Sequence, residues 1–418
     1  MARDLLTTRA SLVLLLLLVI LSSTAVLAVP EPGPCAGRRI HVRRLPPRFN
    51  TDLLRHCDGA FPLADHPGAT PACASLANHG LGPRTHNRSR SWYRTDARLL
   101  EPFFHRRLLD RACLADDPAR ADAVFLPYYA SLDALPFLLE PAMLNFSGAH
   151  GVALAQFLAT DRPRVLARRR GHDHFLVLAG PAWDYAQPAD TDPRLWGTTS
   201  LLRRPEFDNF TFLTLESRAW PWQEHAVPHP TSFHPSSLPR LRAWIARARR
   251  SRRTALMLYA GTVSRPSRPN IRSFILAECA NRTDTYTVVD CHGGSCALDP
   301  DASARTQYGW HLPPGRYEEF SVTIPKDAVM LGGVQIMETL AAVPEEEVAR
   351  MRERLLELAP RVVYRRHGSA AERMREASMD AVDIAVEGAL RRIRRRVRAL
   401  KDGQPEAIYA MDDDDQEI

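Results

Sequence analysis

The sequence predicts an α/β fold in two domains. Three observations carry this. Short apolar runs alternate with segments of helical periodicity over the first 240 residues. A β-loop-α-β unit begins at residue 253, as in the first half of a nucleotide-binding domain. Between the two regions, PWQEHAVPHPTSFHPSSLPR (221–240) has five prolines and little periodicity, and reads as a crossing between domains. Of the 418 residues, 45% are hydrophobic and 25% charged, which is ordinary globular composition and excludes a disordered chain. The net charge is +7, carried almost wholly by Arg, since only Lys326 and Lys401 are Lys. Arg-rich surfaces suit anionic partners such as nucleotide diphosphates.

The chain opens with Arg3 and Arg9, then runs without charge from Ala10 to Pro30. Twenty helical residues span about 30 Å, the thickness of a bilayer core. A cleaved signal peptide ending near Val26-Leu27-Ala28 and an uncleaved anchor both fit; the length favours the anchor. This gives a cytosolic tail 1–9, a signal-anchor helix 10–29, a Pro-rich stem 30–37 and a lumenal remainder. Seven Cys, at 35, 57, 73, 113, 279, 291 and 296, suit an oxidising compartment and leave at least one unpaired within the chain. Cys291 and Cys296 lack zinc-ligand spacing, so no metal site is expected. N-x-S/T sequons at Asn87, Asn145, Asn209 and Asn281 mark candidate glycosylation sites. The secretory start argues against a nucleic-acid partner.

The elements follow in order. RRIHVRRLPP reads as a strand entering a turn. Leu99, Leu100, Phe103, Phe104 and Leu108 recur at helical spacing within 97–113, with Pro102 tolerated near the start. ADAVFLPYY (121–129) and HFLVLAG (174–180) are apolar runs suited to buried parallel strands. Residues 141–159 end as a helix between them. LRAWIARARRSRR then reads as a helix with a solvated Arg face. RTALMLYAG (253–261), a helix at 271–280 and TYTVVDC (285–291) form the β-loop-α-β unit. EEFSVTIP (318–325) reads as another strand. Helices follow at 331–343, 345–358 and 370–399, the last with a basic RRIRRRVRA face. Residues 400–418 form an acidic tail, whose end MDDDDQEI is expected to be disordered. Between residues 253 and 325 there are only about three strands and one convincing helix, little for an independent domain.

Several stretches together resemble the plant members of the exostosin-like family, glycosyltransferase family 47, and within it the xyloglucan galactosyltransferases. They are LPPRFNTDLLRHC (45–57), YRTDARLLEPFFHRRLL (93–109), CLADDPARADAVFLPYYASLD (113–133), DHFLVLAGPAWDY (173–185), FHPSS (233–237), LYAGTVSRPSRPNIRSFILAEC (258–279), QYGWHLPPGRYEEFSVTIP (307–325) and MRERLLELAPRVVY (351–364). The resemblance covers most of residues 38–395. It implies a GT-B-like protein, two Rossmann-like domains facing a cleft, on the Golgi membrane as a single-pass type II protein. The implied N-terminal exostosin-like acceptor domain is 38–240 and the nucleotide-sugar domain 241–399. The implied reaction moves a sugar, galactose or a related one, from a UDP-sugar to a xylosyl branch of a hemicellulose. Other Golgi transferases are candidate partners, and the resemblance fixes no divalent metal. In this family a long segment lies between the position of Cys296 and the QY-W-HLP motif. Here Cys296 runs through ALDPDASAR directly into TQYGWHLP, so the second domain reads as truncated near 297–306.

A transferase of this kind needs donors for a diphosphate, a general base for the acceptor hydroxyl and a cleft that excludes water. After the strand ending at Gly261, the loop carries Arg265 and Arg268, and Arg272 lies at the following helix start, where guanidinium groups and backbone N–H groups suit a diphosphate. Gly261, Arg265 and Arg272 are the donor-site candidates; a solvated Arg-rich loop is the competing reading. Asp133, Glu101 and His105 are candidate bases, each against the reading of a satisfied structural residue. Tyr128, Tyr129 and Trp183 are candidate sugar platforms, against a role in the core. His234 either lines the cleft or caps a turn. A non-catalytic lumenal protein that keeps the acceptor domain and binds glycan or partner enzymes is the second class of function that fits.

Overall fold

A computed structural model describes residues 35–54, 77–85, 91–139, 149–186, 199–217, 222–252, 256–261, 271–279, 286–290, 309–313, 316–368 and 378–409. Five parallel strands form the first sheet in sequential order: β1 (Ile40–Val42), β2 (Ala123–Phe125), β3 (His174–Pro181), β4 (Thr211–Glu216) and β5 (Glu224–Ala226). The register pairs Ile40 with Ala123, Val124 with His174, Phe175 with Thr211 and Leu213 with His225. β3 reads as a continuous apolar run because both of its faces are covered. Phe175, Val177 and Ala179 point to one core, and Leu176 and Leu178 to the other. That is the two-residue alternation of a pleated strand.

The helices that cover these faces come from distant parts of the chain. On one side lie α1 (Leu100–Leu108), with Phe103, Phe104 and Leu108, and a long C-terminal helix at Ala381–Lys401. On the other lie α2 (Ala130–Leu139) and α3 (Val152–Thr160), with Phe207 and Phe210. A short helix, α4 (Pro163–Ala167), follows α3. The remaining elements are α5 (Leu238–Arg250), β6 (Met257–Gly261), α6 (Ile271–Cys279), β7 (Tyr286–Asp290), α7 (Lys326–Met330), α8 (Ile336–Ala341), α9 (Glu345–Val362), α10 (Ala381–Lys401) and α11 (Pro405–Ile408). β6 and β7 pair in parallel as a second, two-stranded sheet among the described residues.

Several expectations are corrected. The proline-rich 221–240 region is not only a crossing, because β5 lies inside it and closes one edge of the first sheet. EEFSVTIP is not a strand: Tyr317–Glu319 is a 3-10 turn, residues 321–325 are irregular, and α7 starts at Lys326. Among the described residues no strand lies beside it to pair with, and alternation alone does not make a ladder. Ahead of MDDDDQEI, which lies outside the described residues, α11 buries Ile408, and Tyr409 meets Trp222 edge-on. The basic face of α10 is partly buried. Arg392 and Arg396 are buried, donating to Glu224 O at 3.0 Å and to Thr211 Oγ1 at 3.2 Å.

α10 is held to α1 by a buried ionic network. Arg107 Nη2 donates to Asp380 Oδ2 at 3.0 Å, and Arg111 Nη2 to Glu387 Oε1 at 3.0 Å. Arg365 bonds both Asp380 and Asp383. Asp380 also caps α10, accepting from the backbone N–H of Asp383 at 3.0 Å in a reciprocal capping box. Burial pushes the Asp380 carboxyl up, but the Arg107 and Arg365 guanidiniums outweigh it and hold it well below the ordinary carboxylate range. Trp310 and His311, from the QYGWHLP stretch, are buried against the same helix: His311 Nε2 lies 2.9 Å from Ala381 O, and Trp310 stacks on His225.

No helix among the described residues is long and apolar enough to cross a membrane. Residues 10–29 and 297–306, Arg265, Asn87, Asn145 and Asn281 lie outside the described residues. Cys35 and Cys113 are each disulfide-bonded.

Candidate functional site

In a parallel sheet the loops after the strands gather at the carboxyl edge, where ligands bind. Four of the five strands of the first sheet send polar or aromatic residues to that edge. β2 leads into Tyr128, Tyr129 and, in the first turn of α2, Asp133. β3 leads into a 3-10 turn, Ala182–Tyr185, carrying Trp183 and Asp184. β4 ends on Glu216, paired with Pro181 at the end of β3. β5 leads to His229, whose Nε2 lies 3.6 Å from Glu216 Oε1.

Each predicted site residue can be placed against this edge. Glu101 is 1% exposed, in the first turn of α1. Its Oε1 accepts from Ser131 N at 2.9 Å and Ala179 N at 3.0 Å, tying α1 to β3 and to the N-terminus of α2. That end of α2 has backbone N–H groups with no partner inside the helix, and the carboxyl satisfies one of them. Burial pushes the Glu101 carboxyl up to about 8, so it is neutral at pH 7 and buried away from any acceptor. The expectation that Glu101 acts as a base is corrected: it is a structural tie. His105 lies on α1, with Nδ1 3.1 Å from the Tyr129 hydroxyl; burial lowers it to about 4, leaving a neutral ring.

Asp133 is nearer the surface, its side chain 34% exposed, and accepts the Tyr128 hydroxyl. Burial raises it above the ordinary value. His150 stands behind it, Nε2 at 3.9 Å from Asp133 Oδ2 and Nδ1 at 2.9 Å from Thr199 Oγ1. Burial holds His150 down to about 3, so the contact with Asp133 is not an ion pair at neutral pH. Tyr128 and Tyr129 are buried and present no face to a sugar, which corrects their reading as platforms. His234 is corrected likewise. It is fully buried between Thr95 Oγ1 at 2.8 Å and Tyr364 O at 2.8 Å, and burial lowers it to about 4. Trp183, in contrast, is 42% exposed.

Asp184 and Glu216 escaped the sequence reading because nothing in the sequence marks where β3 and β4 end. Burial and the nearby Glu216 carboxylate raise Asp184 to about 6 against the pull of Arg98. The residues gathered here include the exposed Trp183, the Asp184 carboxyl raised to about 6 and a buried floor of Tyr128, Tyr185 and His150.

On the donor side, Gly261 closes β6, and Arg272 is exposed on the first turn of α6. Among the described residues, no group of three or more His, Cys, Asp or Glu side chains is placed to hold a metal ion. Of the sequons, Asn209 is described: its Nδ2 donates to Arg170 O at 2.8 Å, while Thr211 two residues on is buried in β4.

Comparisons with known proteins bear on this arrangement. A family model described as the exostosin GT47 domain matches residues 34–305. An Arabidopsis thaliana protein named probable xyloglucan galactosyltransferase GT19 is 49% identical over 409 residues, covering 87% of this chain and 92% of its own. Xyloglucan galactosyltransferase MUR3 of the same plant is 29% identical over 427 residues, 91% of this chain and 66% of its own. Xyloglucan-specific galacturonosyltransferase 1, also from that plant, is 28% identical over 408 residues, 88% of this chain and 59% of its own. The 409 aligned positions with GT19 outnumber 87% of 418 residues, so that alignment runs over positions this chain lacks. No solved structure matches. With a parallel α/β sheet, an acidic and aromatic carboxyl edge, and a family match over most of its length, the chain belongs to the exostosin family of glycosyltransferases, family 47.

Proposed function

We propose that the chain transfers galactose from UDP-galactose to a xylosyl branch of xyloglucan in plant cell-wall synthesis, and that it works in the Golgi lumen as a type II protein held by residues 10–29. The observation that carries this is the 49% identity to GT19 across nearly the whole of both chains. The carboxyl edge of the first sheet is the acceptor side, and the unit from β6 through α6 to β7 is the donor side. The test incubates the full chain, solubilised in detergent, with UDP-galactose and xyloglucan stripped of galactose. UDP release and a galactosylated oligosaccharide in the mass spectrum are the expected result. A parallel incubation with UDP-galacturonic acid separates the two donor classes named for the relatives, and product only in that incubation would reassign the sugar. Carbonate extraction of tagged protein tests the anchor: release into the supernatant removes it.

One observation favours a second reading, a lumenal glycan-binding protein without turnover. Strands of a doubly wound sheet are covered on both faces. In β6, Leu258 is 46% exposed, and Leu256 beside it is also exposed. Together with the aligned positions that this chain lacks, this supports an incomplete donor domain. Expression beside a version with the family segment restored after Cys296 decides between the readings. Equal turnover by the two forms removes the second.

A further inference from the structure

One surface outside the strand ends described above combines aromatic rings with unpaired charge. Residues 91–94 run antiparallel to 232–234. Tyr93 N donates to Ser232 O at 2.9 Å and His234 N to Ser91 O at 2.7 Å, which sets Trp92 directly opposite Phe233. Side chains alternate along such a pair. Tyr93 is buried against the His234 ring, whereas Trp92 is half-buried and Arg94 exposed. α5 packs over the same spot. The Trp244 ring stacks on Phe233 with centroids 4.9 Å apart, and Phe233 meets Trp92 at 5.1 Å. Phe233 covers one face of the half-buried Trp244 indole, so the accessible part of that ring is its other face and its rim. Arg240 lies four residues before Trp244 and Arg247 three after it, which puts all three on one side of the helix. Arg94, Arg240 and Arg247 are exposed, and their guanidiniums have no ion-pair or hydrogen-bond partner among the described residues.

We propose that this row, Trp92 and Trp244 backed by Phe233 and edged by Arg94, Arg240 and Arg247, is a binding surface for an acidic polysaccharide whose sugar rings carry carboxylates. An indole is a large, rigid apolar face on which the C–H side of a sugar ring can lie. A guanidinium fork donates two parallel N–H bonds to a carboxylate, and a planar carboxylate is the anion it matches best. At a rise of 1.5 Å per residue, Arg240 and Arg247 stand about 10 Å apart along the helix. The charges therefore follow a line with an aromatic ring between them, which suits a chain of sugar acids. A bilayer is a poorer fit. The large apolar residues of α5, Leu241, Trp244 and Ile245 among them, pack with Phe233 and Val363, and none of them is among the exposed large hydrophobic residues. A purely acidic peptide would use the arginines and leave the indoles idle. Binding here needs no donor domain, so the proposal stands apart from whether the chain turns over.

The test titrates an oligogalacturonate into the full chain, solubilised in an uncharged detergent, by calorimetry at low and high salt. Binding is expected at low salt, weakening as salt screens the exposed charges. The methyl-esterified oligomer, which keeps the rings and loses the carboxylates, should bind at least about ten-fold more weakly. Arg240→Ala and Arg247→Ala should each weaken the oligogalacturonate about three-fold, the scale of one exposed ion pair, and together about ten-fold. Arg242→Ala is the control for general basicity. That exposed arginine is two residues from Arg240 and so on another side of the helix, and its loss should change affinity by less than about two-fold. Trp244→Leu should weaken the oligogalacturonate about ten-fold and leave a poly-aspartate peptide of equal charge unaffected. Its unfolding midpoint is measured alongside, and the arginine variants decide the case if that chain does not fold. No binding of the oligogalacturonate, equal binding of its methyl ester, an affinity unchanged in the double arginine variant, or an Arg242→Ala effect as large as that of Arg240→Ala overturns the proposal. Tighter binding of the peptide, or of anionic vesicles, through the same arginines also overturns it and reassigns the surface to a protein or a membrane.

Discussion

Gly388 lies in the middle of α10 against the ring of Trp310. A Cβ at this position would stand 2.1 Å from Trp310 Cε3, 2.4 Å from Cδ2 and 2.6 Å from Cζ3. Carbon atoms in contact normally lie about 3.5–4.0 Å apart. The ring has little room to swing away. It stacks on His225 with centroids 3.4 Å apart, and the Arg392 guanidinium lies 5.2 Å from its centroid on an arm fixed to Glu224 O. Gly388→Ala therefore sets two effects against each other. Intrinsic helix propensity favours Ala by about 1 kcal/mol. Overpacking costs about 1–3 kcal/mol, and three contacts this short place the cost at the upper end. The expected net effect is a loss of about 2 kcal/mol in denaturant unfolding of the full chain. Trp310→Leu will be destabilising alone, but in that background the clash is gone and Gly388→Ala becomes neutral or stabilising. A Gly388→Ala chain as stable as wild type, or an equal loss in both backgrounds, would refute the argument.

Three further outcomes follow from the same reasoning. Glu101→Gln keeps an acceptor oxygen for Ser131 N and Ala179 N and should be tolerated, whereas Glu101→Leu strands both N–H groups at about 1–3 kcal/mol each in the same unfolding assay. Because the folded Glu101 carboxyl sits at about 8, its contribution is complete below its unfolded value and fades as pH rises to about 8. A wild type and a Glu101→Gln chain that respond alike to pH would contradict this. His150, His234 and His311, held by burial at about 3, 4 and 3, act in the opposite sense. Their contribution is present above the unfolded value of about 6.5 and is lost as pH falls toward 4 and 3, so the unfolding midpoint should drop on acidification from about pH 6.5. A flat midpoint down to about pH 5 would show that these rings are not buried neutral. Last, Arg272→Ala and Arg265→Ala should each weaken UDP binding by about ten-fold in calorimetry, the scale of one charge-assisted contact. Unchanged affinity in both would remove the loop after β6 from the donor site.

Much of the fold was legible because parallel strands covered on both faces read as unbroken apolar runs. HFLVLAG and ADAVFLPYY stood out for that reason, as did MLYAG. β4 was missed although TFLTLE is as apolar, because the charged RRPEFDNF before it hides the start. β5 is three residues among prolines, and it is a strand only because β4 lies alongside. EEFSVTIP shows the converse: the right pattern with no strand beside it among the described residues remains irregular. The site was legible by residue type but not by depth. Glu101, Tyr128, Tyr129 and His234 carry suitable chemistry, yet only packing decides that they face inward. Asp184 and Glu216 become candidates once the strand ends are known.

The ionic bridge between Arg107 and Asp380 joins residues 273 positions apart. A ribosome adding about 5–20 residues per second needs tens of seconds to travel that distance. From the completion of β5 at Ala226 onward β1 to β5 are made, but α10, which shares with α1 the covering of one of their faces, is not. The apolar residues of that face, Phe125, Phe175, Val177 and Leu213 among them, must wait without the cover of α10. The first sheet is thus completed by the last long helix synthesised, so its packing cannot finish until residues 381–401 have been made. A premature stop anywhere before Asp380 would unmake the N-terminal half of the molecule rather than merely shorten its end.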